Sequence, residues 1–291
     1  MSSMLHGCLA DTDYFELTAQ SGRSYGIWVT TPPGYAESTE PLPLIYVLDG
    51  NGAVGFTAPL VTVQTDPYLT LAPYIQVSIG YAGEAAEHWV QLRNRDFVPP
   101  GEPVSDDMVP ALEAARDSGA MSQQEMDAFL AELTDTRADL FLDFLTDDLH
   151  PHLQSRFRVA DSGHGLFGYS YGGLFALYAW LRDAAPFSAV GAGSPGVLTP
   201  DSRIFAMIDA LPARPADPLA PRLHITVNEL EALGDIAFPR RLAQNVLDVV
   251  DRLLRTDRAP DVTRALLRET HSTGLQASFL DYLKVCHSRP A

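Results

Sequence analysis

Gly168-Tyr169-Ser170-Tyr171-Gly172-Gly173 constrains this chain more than any other stretch, because it sets one serine at a sharp turn between an apolar strand and a helix. Before it, residues 163–168 hold Leu166 and Phe167 and predict a short buried strand. After it, Leu174 to Leu181 predicts a helix entering a core. Gly168 and Gly172 keep bulk away where strand and helix pass close by, so the backbone can present a serine hydroxyl in a strained turn. The bland alternative is a glycine-rich turn whose serine only caps the following helix. The apolar strand on one side and the apolar helix on the other favour the strained turn.

At 291 residues with 46% hydrophobic and 20% charged side chains, the chain can bury a large core. One domain over residues 1–291 with an insertion is expected. The formal charge of −17 opposes nucleic acid and anionic membrane surfaces. Cys8 and Cys286 stand alone near opposite ends, so free thiols are expected instead of a zinc site or a disulfide framework. Residues 1–11 show no basic stretch followed by an apolar run, and nothing later has the length of a membrane span. A soluble cytoplasmic protein is therefore the expectation.

Strand and helix alternate over most of the chain. Ser24 to Thr30, Pro43 to Leu48 and Tyr74 to Gly80 predict strands, with a helix near residues 54–64 between the last two. Phe187 to Gly191, Leu223 to Asn228 and Val262 to Arg268 predict three more, and an amphipathic helix carries Leu242, Val246, Val249, Val250 and Leu253. This order implies an α/β fold, a mostly parallel sheet with helices on both faces. The pattern breaks at about residues 81–161, a candidate insertion or lid. There Ser122 and Glu125 form a capping box for a helix through Leu133, and a second helix should run from Thr136 to Leu149 and stop at Pro151. Its stripe of Leu140, Phe141, Phe144 and Leu145 reads as core-facing.

A serine hydroxyl needs a base, and histidine suits because it titrates near neutrality. In the α/β-hydrolase order of serine, acid and then histidine, only His271 and His287 among the eight histidines come late enough. His271 follows the last predicted strand, while His287 sits in a polar tail. The acid should leave the strand ending at Asn228, where Glu229, Glu231 and Asp235 compete. An oxyanion hole needs two amides. Tyr171 supplies one, and the loop Asp49-Gly50-Asn51-Gly52 should supply the other from Asn51. His150-Pro151-His152 near Asp147 and Asp148 could suggest a metal, but it falls at a helix end broken by proline, so neither metal nor cofactor is expected.

Several segments together resemble the esterase D-like branch of the α/β-hydrolases, and within it the siderophore esterases that open trilactones such as enterobactin and bacillibactin. They are Val29 to Tyr35, Tyr46 to Gly52, Val77 to Tyr81, Arg93 to Pro99, the turn around Ser170 with its extra Gly173, Gly193-Ser194-Pro195, and Glu269 to Ser272. The resemblance implies an α/β-hydrolase fold with Ser170 as nucleophile, His271 as base and Asn51 in the oxyanion loop. In related esterases the acid stands three positions beyond a strand-ending glycine. Here Asn228 replaces that glycine, which puts Glu231 in the acid position with Glu229 in reserve. Some siderophore esterases use a Ser-His dyad instead. Arg93 and Arg95 fall near the family's substrate mouth, where arginine can hold a carboxylate or catecholate oxygen. A salt bridge from these arginines to Asp96 or another acid is the competing reading.

The expected function is thus serine-dependent hydrolysis of a small carboxylic ester, siderophore-like or other. The alternatives are a thioesterase similar to S-formylglutathione hydrolase, an acyl transferase, and a binding module without catalysis.

Overall fold

Continuous apolar runs such as Leu44 to Val47 can be buried only if both faces of their sheet are covered. That is where the chain puts them. The structure, a computed structural model, describes residues 9–65, 71–213 and 220–288; Cys8 lies outside these. Eight strands form one sheet: β1 Thr12–Thr18, β2 Ser24–Thr30, β3 Leu44–Val47, β4 Ile75–Tyr81, β5 His164–Tyr169, β6 Phe187–Gly193, β7 Arg222–Asn228 and β8 Val262–Leu267. Their spatial order is β1-β2-β4-β3-β5-β6-β7-β8. β2 runs antiparallel to β1 and to β4, and every other neighbour pair is parallel. The fold is that of the α/β-hydrolases, as expected.

Helices fill the crossovers. α1 Gly50–Thr57 follows β3; α2 Trp89–Phe97, α3 Met108–Asp117, α4 Gln123–Glu132, α5 Ala138–Asp143 and α6 His150–Arg156 lie between β4 and β5. α7 Tyr171–Leu181 follows β5, α8 Arg203–Asp209 follows β6, α9 Glu229–Leu233 and α10 Ala237–Leu254 follow β7, and α11 Gly274–Cys286 follows β8. The strand period of two divides the core. Leu44 and Tyr46 of β3 belong to the core cluster on the face covered by α7 and α10, while Ile45 and Val47 belong to the cluster under α1 and α11 on the other. Each such side chain contributes roughly 1.5–3 kcal/mol on burial.

Two expectations change. β1 was not foreseen: it is an edge strand with both faces partly in solvent, and Phe15 and Leu17 alone make its alternation short. Pro151 does not stop the helix expected from Thr136 to Leu149. α5 runs on through a π-helical turn, Phe144–Leu149, into α6, and Pro151 falls in the first turn of α6. A wider turn tolerates a residue that lacks its N–H. The capping box of α4 is present, with Glu125 N–H donating to Ser122 Oγ at 3.2 Å and Ser122 N–H to Glu125 Oε2 at 2.7 Å. Phe141, Phe144 and Leu145 are buried as expected. His150 is held by the Tyr46 hydroxyl at 2.7 Å, and His152 packs on the Phe15 ring. No helix among the described residues is long and apolar enough to cross a membrane.

Candidate active site

The C-terminal ends of the parallel strands converge on Ser170. It stands between β5 and α7 with φ 59° and ψ −121°, a conformation that non-glycine residues rarely adopt. The surrounding turn leaves no alternative. A Cβ on Gly168 would sit 2.0 Å from the Gly172 carbonyl oxygen, and one on Gly173 would sit 2.7 Å from that of Gly193. Ser170 N–H donates to the Gly193 carbonyl at 2.9 Å, and Gly196 N–H donates to the Ser170 carbonyl at 2.8 Å. These bonds tie the turn to the end of β6.

Ser170 Oγ lies 3.0 Å from His271 Nε2, and His271 Nδ1 lies 2.5 Å from Glu231 Oε1. The three residues come from the ends of β5, β7 and β8, separated by 101 and 40 positions in sequence. Glu231 is 1% exposed. Burial alone would raise its pKa, but hydrogen bonds from His271, Ser194 and Asn228 outweigh this and hold it below the ordinary value. Ser194 Oγ donates to Oε2 at 2.6 Å, Asn228 Nδ2 to Oε1 at 3.0 Å, and the Asn228 N–H to Oε2 at 3.4 Å. Glu229, two residues back at the start of α9, is only half buried. Among the competing carboxylates it is Glu231 that lies against His271 Nδ1.

Asn228 does a second thing. Its Nδ2 also donates to the Tyr169 hydroxyl at 2.6 Å, which in turn donates to the His271 carbonyl at 2.8 Å. The Tyr169 ring lies 5.2 Å from the imidazole, centre to centre. One amide thus links the carboxylate to the histidine loop, and Gly274 leaves room for it: a Cβ there would lie 2.4 Å from the Tyr169 hydroxyl oxygen.

Tyr171 opens α7, where a first-turn N–H has no carbonyl one turn earlier to bond. Asn51 lies in the first turn of α1, and its side chain is spent on the backbone of Tyr81, accepting from N–H at 2.6 Å and donating to C=O at 3.1 Å. Only the main-chain amide of Asn51 remains for the role expected of it. Asp49, the residue before α1, has φ 59° and carries a bidentate ion pair with Arg93 at 2.6 and 2.7 Å. Arg93 Nη2 also donates to the Tyr169 carbonyl at 3.2 Å. Arg93 lines the site, but as a strut between the α1 loop and the serine turn. Arg95 is not among the lining residues and pairs with Asp135 at 3.5 Å. Asp96, the acid offered as a partner for these arginines, pairs with Arg23 and accepts from Tyr25 and Tyr81.

Above Ser170 opens a cavity of about 340 Å³, walled in part by Met108 and Leu112 of α3, Phe129 of α4, and Phe238 and Leu242 of α10. A wider groove near Arg252 and Asp257 shares no lining residue with it. No cluster of potential metal ligands occurs among the described residues. Sequence reasoning missed Asp49, Ser194, Asn228 and Tyr169 as partners of the site. Gly193-Ser194-Pro195 was visible as a motif, but nothing local assigned it to a carboxylate.

Fold and site together set a serine–histidine–glutamate arrangement at the C-terminal edge of an α/β-hydrolase sheet. The chain belongs to the Esterase family, which matches residues 18–206. It is 29% identical over 181 residues to the ferri-bacillibactin esterase BesA of Bacillus subtilis, covering 60% of this chain and 54% of that protein. It is 28% identical over 194 residues to the siderophore triacetylfusarinine C esterase of Aspergillus fumigatus, covering 65% and 57% respectively. The matched stretch thus spans little more than half of each of these relatives. The siderophore hydrolase EstB from Aspergillus nidulans shares the fold, with a TM-score of 0.75 at 22% identity over 97% of this chain and 96% of that one. The family resemblance read from the motifs is borne out.

Proposed function

We propose that this protein is a serine carboxylic ester hydrolase acting through an acyl-enzyme on Ser170. The observation that carries the reading is the contiguous relay from Ser170 Oγ to His271 Nε2 and from His271 Nδ1 to Glu231, at 3.0 and 2.5 Å. In this reading Ser170 Oγ attacks the ester carbonyl and passes its proton to His271 Nε2. The C–O bond to the alcohol then breaks, and the alcohol leaves with that proton. The developing oxyanion is held by the Tyr171 and Asn51 amides. Water, deprotonated by His271, attacks the acyl-enzyme; the bond to Ser170 Oγ breaks, Oγ takes the proton back from His271, and the acid is released. Glu231 keeps the imidazole in the tautomer that accepts from serine and stabilises the imidazolium. No step calls for a metal or organic cofactor.

Residues 81–161 serve as a cap over the cleft in this reading, supported by the cleft residues they provide, Arg93, Met108, Ala111, Leu112 and Phe129. The names of the two relatives favour a siderophore ester as the natural substrate. Turnover of p-nitrophenyl esters beside trilactones tests the class. Ser170→Ala and His271→Ala should each lower kcat by about a million-fold. A fluorophosphonate should label Ser170 covalently. Thioester turnover above oxygen-ester turnover, or acyl transfer to added alcohol, would move the reading to a thioesterase or transferase; equal activity in wild type and Ser170→Ala would end it. The cytoplasmic location expected from the sequence belongs to this proposal and is tested by cell fractionation.

A further inference from the structure

The cavity above Ser170 is walled by one chemistry. α3 contributes Met108 and Leu112, α4 Phe129, and α10 Phe238 and Leu242. Among the described residues, the side chains lining it that can carry a positive charge are Arg93 and His271. Neither offers a free positive charge. Arg93 directs Nε and Nη2 to the two oxygens of Asp49, and Nη2 also to the Tyr169 carbonyl. His271 is occupied on both nitrogens by Ser170 and Glu231. An anionic group entering this space would lose water without gaining a cation, which is costly. The whole-chain charge of −17 opposes its approach as well. A volume of about 340 Å³ is near the low end for ligand sites. That suits one arm of an ester.

We infer that the cleft receives an uncharged, mainly apolar arm of the substrate, of medium-chain acyl or aryl-acyl size, and rejects esters whose arm ends in an anion. This rests on the ester-hydrolase reading and narrows it, because it sets neutral scaffolds ahead of anionic catecholate ones.

A matched pair tests it: p-nitrophenyl octanoate against the p-nitrophenyl monoester of octanedioic acid, equal in chain length and differing in one terminal carboxylate. At neutral pH kcat/KM should favour the neutral ester by about 100-fold or more. Most of that ratio should survive in about 0.5 M salt, where long-range repulsion is screened and the cleft contribution remains. Phe238→Arg, which puts a cation on the half-buried wall, should narrow the ratio by about ten-fold or more. Calorimetric binding of both esters to Ser170→Ala reads the cleft without chemistry. Preference in binding with no turnover by wild type would sustain this inference and sink the hydrolase reading. Turnover of the two esters at similar rates in high salt would overturn the inference and leave hydrolysis standing.

Discussion

Replacing Glu231 by glutamine separates two duties of the acid, because the structure dictates how the amide would sit. Oε1 accepts from His271 Nδ1 and Asn228 Nδ2, both of which can only donate while His271 Nε2 serves as acceptor for serine. Oε2 faces Ser194 Oγ at 2.6 Å and the distant Asn228 N–H at 3.4 Å. A hydroxyl can turn round and accept, so the glutamine NH₂ belongs beside Ser194 and its oxygen beside His271. The productive tautomer survives, whereas a wrong tautomer would cost about 10⁴ in kcat. What is lost is charge. A neutral acceptor gives up about 1–2 kcal/mol of charge assistance, and attraction to the transient imidazolium is worth at most about 4 kcal/mol for unit charges near a surface. These overlap, so a barrier rise of about 3–4 kcal/mol is expected, about 100- to 1,000-fold in kcat. Glu231→Ala, which leaves His271 without an orienting acceptor, should cost about ten-thousand-fold. Adding Ser194→Ala to Glu231→Gln removes the partner of the NH₂ group and should cost about ten-fold more. The assay is steady-state kcat on a p-nitrophenyl ester, normalised by active-site titration, with imidazole ¹⁵N shifts reporting the tautomer. A loss in Glu231→Gln as deep as in His271→Ala, with no further effect of Ser194→Ala, would refute this orientation argument.

Asn228→Ala removes the amide that links Glu231 to Tyr169 and should lower kcat by about 10- to 100-fold, with KM for a short ester nearly unchanged; kinetics beside a thermal melt separate this from unfolding. Gly168→Ala places a methyl 2.0 Å from the Gly172 carbonyl oxygen, backbone against backbone, and should destabilise by about 3 kcal/mol or more, read as a loss of soluble, cooperatively melting protein. Acid should destabilise the fold through His164, whose Nδ1 accepts from the Leu44 N–H at 3.0 Å and whose pKa burial lowers from 6.5 to about 4, with His150 adding to the shift. The unfolded imidazole binds its proton near 6.5 and the folded one only near 4, so stability falls as pH drops through that interval and levels off below it. The loss is up to about 3 kcal/mol; chemical denaturation across this range should show a shallower slope in His164→Gln.

Much of the site was legible because the relevant signals are local. An apolar strand, a glycine-flanked serine and an apolar helix are contiguous, so residues 163–181 could be read in one pass. His271 followed from chain order, and the strands from apolar runs that demand cover on both faces. Other features depended on sequence separation. Arg93 and Asp49 lie 44 positions apart, and nothing near either announces the other, so the salt bridge that competed with a substrate role for Arg93 could not be assigned to Asp49. Pro151 read as a stop because a π-helical turn carries no dependable local mark.

Composition and order along the chain were enough to determine an α/β sheet, a serine at its strained turn, and a histidine beyond the last strand. These follow from short-range periodicity and from the steric demands of a few adjacent residues. The resemblance already put Glu231 in the acid position; tertiary structure alone decided that Asn228, Ser194 and Tyr169 hold Glu231 and His271 in place, and that Arg93 is paired with Asp49 beneath an apolar cleft. The physical reason is that hydrogen bonds and ion pairs act over a few ångströms of space, and the groups they join are brought that close only when the β5, β6, β7 and β8 ends are packed side by side.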